Sequence, residues 1–201
     1  MATSDDSVNV VLISGSTRSG STNTAALRTL AELEIPGVAA TLWDRLVDVP
    51  AFVPDDDAEP PDAVSALRFL LASADAVVFC TPEYAGTLPG SFKNAIDWLV
   101  GSGELYRTPA AWINVGNPGR GAGAEATLAM VLGYVDADVV EQACVRIPVG
   151  RDAVGPDGTV DDADVRARLA SVLGAVAGHV RSLTDRPRPL PLRFGGNGRG
   201  Q

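Results

Sequence analysis

Two segments of this chain combine residue types whose order suits them to hold an anion and a flat ring. The first, residues 15–23, reads G-S-T-R-S-G-S-T-N and leads into a helical pattern. Gly15 and Gly20 permit tight turns, while Ser16, Thr17, Ser21, Thr22 and Asn23 offer hydroxyl or amide donors. A helix N-terminus adds unpaired N–H groups and the positive end of a dipole. Arg18 adds a charged fork able to grip two phosphate oxygens. The segment is not the G-x-G-x-x-G dinucleotide fingerprint, and with no G-K-[ST] in the chain it is not a nucleoside triphosphatase loop. It reads as a phosphate cradle without a lysine.

The second segment, residues 82–90, reads P-E-Y-A-G-T-L-P-G. Proline fixes the backbone and glycine lets it approach closely, so main-chain N–H and C=O groups can meet the heteroatoms of a heterocycle. Tyr84 can lie against a ring face. Glu83 has three readings: a ligand contact, a salt-bridge partner for Lys93 or Arg18, or a surface carboxylate. Two cysteines, Cys80 and Cys144, lie in apolar runs and read as small buried hydrophobes. His179 falls in a C-terminal helical pattern without neighbouring ligands, so no metal site is expected.

These residues need a scaffold, and the hydrophobic pattern supplies one. Residues 8–14 (V-N-V-V-L-I-S) read as a strand buried on both faces, 76–80 as a strongly apolar strand, and 38–43, 110–115 and 139–147 as further strands. Helical spacing covers 23–34, 63–72, 91–100, 124–135 and 162–183. Residues 44–62 form a Pro- and Asp-rich loop around Asp55, Asp56 and Asp57, expected to be a solvated acidic surface. Strands alternating with helices imply right-handed crossovers and a parallel sheet. The expectation is an α/β fold: a flavodoxin-like three-layer α/β/α sandwich with a five-stranded parallel sheet in the order 2-1-3-4-5. In such a sheet ligands bind outside the carboxyl ends of the strands where the winding reverses. The unusual loops follow strands one, three and four, which that order makes neighbours.

The 201 residues are expected to form one domain over 1–184, followed by a Pro-, Arg- and Gly-rich tail at 185–201 that is extended or disordered. A net charge of −9 argues against nucleic acid as a partner. Lys93 is the single lysine among 16 basic residues, so any anion site rests on arginine, hydroxyls and amides. No apolar run reaches the roughly 18 residues of a membrane span. The acidic start, residues 1–7, lacks a basic n-region, so the cytoplasm is the expected compartment.

Residues 82–98, P-E-Y-A-G-T-L-P-G-S-F-K-N-A-I-D-W, resemble the signature of the NADPH-dependent FMN reductase family, which includes chromate- and azo-reducing quinone reductases. The G-S-T-R-S-G-S-T-N segment resembles that family's phosphate loop, and the similarity extends over roughly residues 8–180. The resemblance implies FMN as cofactor and NADPH or NADH as electron donor. It places Ser16, Arg18, Ser21, Asn23 and Thr24 around the FMN phosphate, and Pro82, Glu83, Tyr84, Ala85 and Gly86 along the ring, with Gly116 from the turn after the fourth strand. It also implies a ping-pong exchange, in which the nicotinamide leaves before a small-molecule acceptor (a quinone, flavin, azo compound or chromate-like oxyanion) enters. No side chain is expected to act as a catalytic acid or base. Family members are usually homodimers or homotetramers whose partner subunit helps wall the flavin site. Two departures stand out: Ala85 replaces a common Asn, and Glu125 lies near an expected Arg in the segment after strand four. A flavodoxin-type electron carrier or noncatalytic FMN-binding module is the alternative reading.

Overall fold

The run V-N-V-V-L-I-S becomes β1 (Val8–Ser14), and all but Asn9 of it is buried. The computed structural model describes residues 7–183. Alternate β1 side chains face opposite ways: Val10 and Leu12 enter one apolar cluster, Val11 and Ile13 another. The elements that follow are α1 (Thr22–Glu32), β2 (Val38–Trp43), α2 (Asp62–Ala72), β3 (Ala76–Cys80), α3 (Gly90–Val100) and β4 (Pro109–Asn114). After them come α4 (Ala122–Tyr134), β5 (Asp138–Val139), β6 (Val145–Arg146) and α5 (Ala163–Leu183).

The sheet order is β2-β1-β3-β4-β5, with β6 also on β4, and every pairing is parallel. Leu27 and Leu30 of α1 and Leu169 and Leu173 of α5 pack on one face. Leu67 of α2, Phe92 and Ile96 of α3 and Leu128 of α4 pack on the other. Three layers result, as the alternation of elements implies. Each fully buried Leu or Phe contributes roughly 1.5–3 kcal/mol.

The expected fifth strand is interrupted. Residues 139–147 form two short strands separated by a 3-10 turn at Glu141–Ala143, and both short strands pair with β4. The cause lies in spacing: Val140 and Ala143 are both buried in the cluster shared with α5. A continuous strand would send residues three apart to opposite faces, and the turn brings them to one. Helix and strand ends elsewhere shift by one or two residues from the predicted bounds. The tail expected from residue 185 lies outside the described residues.

The acidic loop after β2 is only partly a solvated surface. Asp55 and Asp56 are exposed, but Asp57 pairs with Arg68 of α2, whose guanidinium also donates to the Trp98 carbonyl. Asn94 of α3 accepts the Phe52 N–H at 2.8 Å and donates to the Pro50 carbonyl at 2.8 Å. Trp98 is fully buried, donates to the same carbonyl at 2.9 Å, and meets the Phe52 ring edge-on at 5.0 Å. Replacing Asn94 by Ala strands the Phe52 N–H and leaves the Pro50 carbonyl with Trp98 as its one donor, and should lower stability by about 1–3 kcal/mol. Urea unfolding measures the loss, and limited proteolysis should show new cleavage near residues 50–53; an unchanged transition midpoint would refute this account of the loop.

Candidate functional site

The cradle and the ring loop leave the sheet side by side. Gly15 N–H donates to the Cys80 carbonyl at 2.9 Å, the last bond of the β1–β3 pairing. A Cβ at position 15 would stand 2.4 Å from Thr81 Oγ1, so only glycine allows this approach. Above the junction lies a cleft of about 310 Å³, in the size range of small-ligand sites. Four segments line it: Ser16, Arg18, Ser21, Thr22 and Asn23 after β1, Pro82 and Tyr84 after β3, Val115, Gly116 and Asn117 after β4, and Val149, Gly150 and Arg151 after β6.

Local hydrogen bonds shape the cradle. Ser14 Oγ, 2.7 Å from Thr24 Oγ1, accepts the Ser16 N–H, and Ser16 Oγ accepts the Arg18 N–H. Ser21 is the N-cap of α1 and accepts the Asn23 N–H at 3.2 Å. The N–H groups of Thr22 and Thr24 find no intramolecular acceptor among the described residues. Among the described residues the Arg18 guanidinium reaches only the Gly20 carbonyl, at 3.4 Å. Among the described residues neither Arg18 nor Arg151 forms an ion pair, and no carboxylate lines the cleft. In an acidic chain, two unpaired cations beside a helix N-terminus make a site suited to a phosphate monoester.

The sequence profile described as NADPH-dependent FMN reductase matches residues 8–152. An NAD(P)H-dependent FMN reductase of Pseudomonas aeruginosa is 34% identical over 89% of this chain and 98% of its own length. The quinone reductase of Escherichia coli K12 is 32% identical over 85% of this chain and 94% of its own. Among solved structures, the flavoenzyme NAD(P)H:(acceptor) oxidoreductase FerB from Paracoccus denitrificans superposes with a TM-score of 0.68 at 29% identity, covering 87% of this chain and 98% of that one. The chain belongs to the NADPH-dependent FMN reductase family. With that family it is an FMN-dependent NAD(P)H oxidoreductase of flavodoxin-like fold.

Of the residues that the resemblance assigns to the cofactor, Ser16, Arg18, Ser21, Asn23, Pro82, Tyr84 and Gly116 converge on the cleft. Thr24, Glu83, Ala85 and Gly86 do not line it. Thr24 instead braces Ser14 beneath the cradle. Glu83 is an exposed carboxylate, as one of its sequence readings has it, and it pairs with neither Lys93 nor Arg18: Oε2 accepts the N–H groups of Gly123 at 2.7 Å and Ala124 at 3.3 Å, fixing the ring loop to the start of α4. Lys93 pairs with Asp97 at 2.5 Å, one turn along α3. Gly123 is forced by the same docking, because a Cβ there would stand 2.0 Å from the Gly86 carbonyl oxygen.

Both departures from the family pattern have local explanations. Glu125 accepts from Asn114 Nδ2 at 2.8 Å and pairs with Arg146 of β6 at 2.9 Å. Arg146 also donates to the Arg120 carbonyl, holding the turn after β4. At the ring loop, Tyr84 and Thr87 exchange backbone hydrogen bonds at 3.0 and 3.1 Å around Ala85 (φ 51°) and Gly86 (φ 78°). Positive φ at both central residues marks an I′ hairpin turn, for which Asn-Gly is the preferred pair. Asn at position 85 would suit this backbone better than Ala, and Ala85 itself does not line the cleft.

Sequence reasoning missed Arg151, together with Asn117 and the Val149–Gly150 wall. A signal was present: Gly150-Arg151 follows the last strand at the same sheet edge, as Gly15 and Arg18 follow the first. Neither cysteine is a ready nucleophile, since burial pushes the Cys144 thiol up to about 11 and the enclosed Cys80 thiol higher still.

Ala85→Asn should relieve the left-handed strain and stabilise the protein by about 1 kcal/mol. The rise in thermal midpoint reads this directly. A variant no more stable than the parent would remove the turn as the reason for the Asn.

Proposed function

We propose that the cleft takes FMN with its phosphate among Ser16, Arg18, Ser21, Asn23 and Arg151, and that the ring loop of Pro82–Gly86 borders the ring system. The supporting observation is electrostatic: Arg18 and Arg151 face one cleft unpaired by any carboxylate among the described residues, although the chain carries a net charge of −9. Bound FMN supplies the hydride-accepting and hydride-donating chemistry. The chain's own residues then bind and orient. Ser21 holds the helix N-terminus open as an anion seat, while Glu83 keeps the ring loop in place from behind. Tyr84, half-exposed beside Pro82, offers an aromatic face at the mouth.

The electron acceptor on this reading is a small molecule of the quinone class, supported by the quinone reductases among the relatives, with free flavins, azo compounds and chromate-like oxyanions as further acceptors. The enzyme acts in the cytoplasm as a homo-oligomer. Among the described residues no helix is long and apolar enough to cross a membrane. The second copy is assigned to the outer face of α4, where Met130 is 68% and Tyr134 83% exposed beside Ala122, Ala126 and Gly133. A helix that is apolar around its circumference is ordinarily covered. Because α4 also carries the ring loop on its N-terminus, a copy seated there would stand beside the site.

Purified protein reconstituted with FMN should show a flavin absorption band that NADPH bleaches and a quinone restores; a band that NADPH leaves unchanged would sink the reductase reading. Arg18→Ala and Arg151→Ala should each weaken FMN binding by roughly tenfold, the loss of one charge-assisted contact. Met130→Glu with Tyr134→Glu should lower the sedimentation mass to that of a monomer. An oligomer that survives both substitutions would place the interface elsewhere.

A further inference from the structure

The sulfur of Cys80 stands between two walls of the cleft. Cys80 ends β3 and is fully buried. Its Sγ lies 3.3 Å from Asn23 Oδ1, and the backbone N–H of Val115 bonds to the same sulfur. Asn23 and Val115 both line the cleft, one from the cradle and one from the segment after β4. Asn23 is only 8% exposed, so its carboxamide cannot turn freely to suit a ligand.

A carboxamide has two chemically opposite ends of nearly equal shape, and what fixes its orientation is the polarity of its partners. The thiol has one proton to give. With the Val115 N–H donating to the sulfur, that proton must go to an acceptor, and Oδ1 of Asn23 is the acceptor in reach. The N–H2 end is thereby turned away from β3, toward Ser21 Oγ at 3.4 Å within the cradle. Reversed, the amide would offer a carbonyl oxygen to an anion and repel it.

We propose that Cys80 is a positioning residue, whose thiol holds the Asn23 carboxamide with its donor end toward the phosphate subsite. Burial pushes the pKa of this thiol well above the usual thiol range, so the proton that orients Asn23 is retained at neutral and mildly alkaline pH. Cys80 takes no part in electron transfer on this account. It acts on the phosphate and is indifferent to the ring. The inference rests on the reading that the cleft takes FMN by its phosphate.

The test compares two ligands that differ in that group alone. Full-length protein with Cys80→Ala or Cys80→Ser is titrated with FMN and with riboflavin, which has the ring but no phosphate, and binding is read by flavin fluorescence. Cys80→Ala should weaken FMN about fivefold, the loss of one oriented hydrogen bond, while riboflavin affinity stays at the parent value. Cys80→Ser keeps a proton to donate and should hold FMN affinity within about twofold of the parent. In an Asn23→Ala background, Cys80→Ala should have no further effect on FMN. Equal loss of both flavins, unchanged FMN affinity in Cys80→Ala, failure of Ser to restore binding, or an additive effect in the Asn23→Ala background would each overturn the role. If Cys80→Ala does not fold, Cys80→Val, which fills the volume of the thiol but has no proton to give, takes its place with the same expected and refuting outcomes. A parent protein that binds neither flavin would instead defeat the reading of the cleft itself.

Discussion

A single backbone contact, the Gly15 N–H on the Cys80 carbonyl, determines where everything else in the site must stand. It continues the β1–β3 ladder one residue past the end of β1, and it requires that position 15 carry no side chain, because Thr81 fills the space. From this point the chain after β1 turns into α1 on one face of the sheet, while the chain after β3 runs into α3 on the other. The loops diverge because the winding direction reverses between these strands. A cleft opens where they part. Its chemistry follows from which residues happen to leave the sheet there: hydroxyls and an arginine on one side, a proline and a tyrosine on the other.

A cleft alone does not give a shaped site, since loops lose entropy when a ligand orders them. Here the ordering is built in before any ligand arrives. The ring loop is closed on itself by the Tyr84–Thr87 exchange, held to α4 by Glu83, and pressed against Gly123 with no space for a methyl group. The turn after β4 is held by Asn114, Glu125 and Arg146 acting together. These carboxylates face backbone amides and arginines behind the cleft. Their work is positional, and it leaves the cleft itself without negative charge.

How far this could be read in the chain depends on the range of the interactions involved. Strand identity in β1, β3 and β4 is local, a run of apolar residues bounded by turn residues, and from it the sheet order and the convergence of Ser16, Arg18 and Tyr84 follow. The partner of Glu83 is 40 residues distant and is set by the tertiary path of α4, so the exposed carboxylate can be read in the segment but its bond to the α4 amides cannot. The fifth strand reads as continuous because Val139, Val140, Val145 and Ile147 suit a strand individually; its break comes from the need to bury Val140 and Ala143 against α5, a demand invisible in the segment itself. Arg151 was missed for a similar reason. It reaches the cleft only because β6 ends beside β4, with Val149 N–H on the Val115 carbonyl.

Net charge is a poor guide to such a site. Salt screens charges separated by more than about 8 Å under physiological conditions, so exposed acidic residues such as Asp55 and Asp56 weigh little on a site remote from them. What matters is the local census, and three carboxylates on the elements around the loops are engaged elsewhere: Glu83 by the amides of α4, Glu125 by Arg146, Asp97 by Lys93. None of the three lines the cleft that Arg18 and Arg151 face. The acidic chain thus keeps an electropositive cleft by spending its neighbouring negative charges on structure, and a surplus of acid elsewhere is compatible with binding a dianion here.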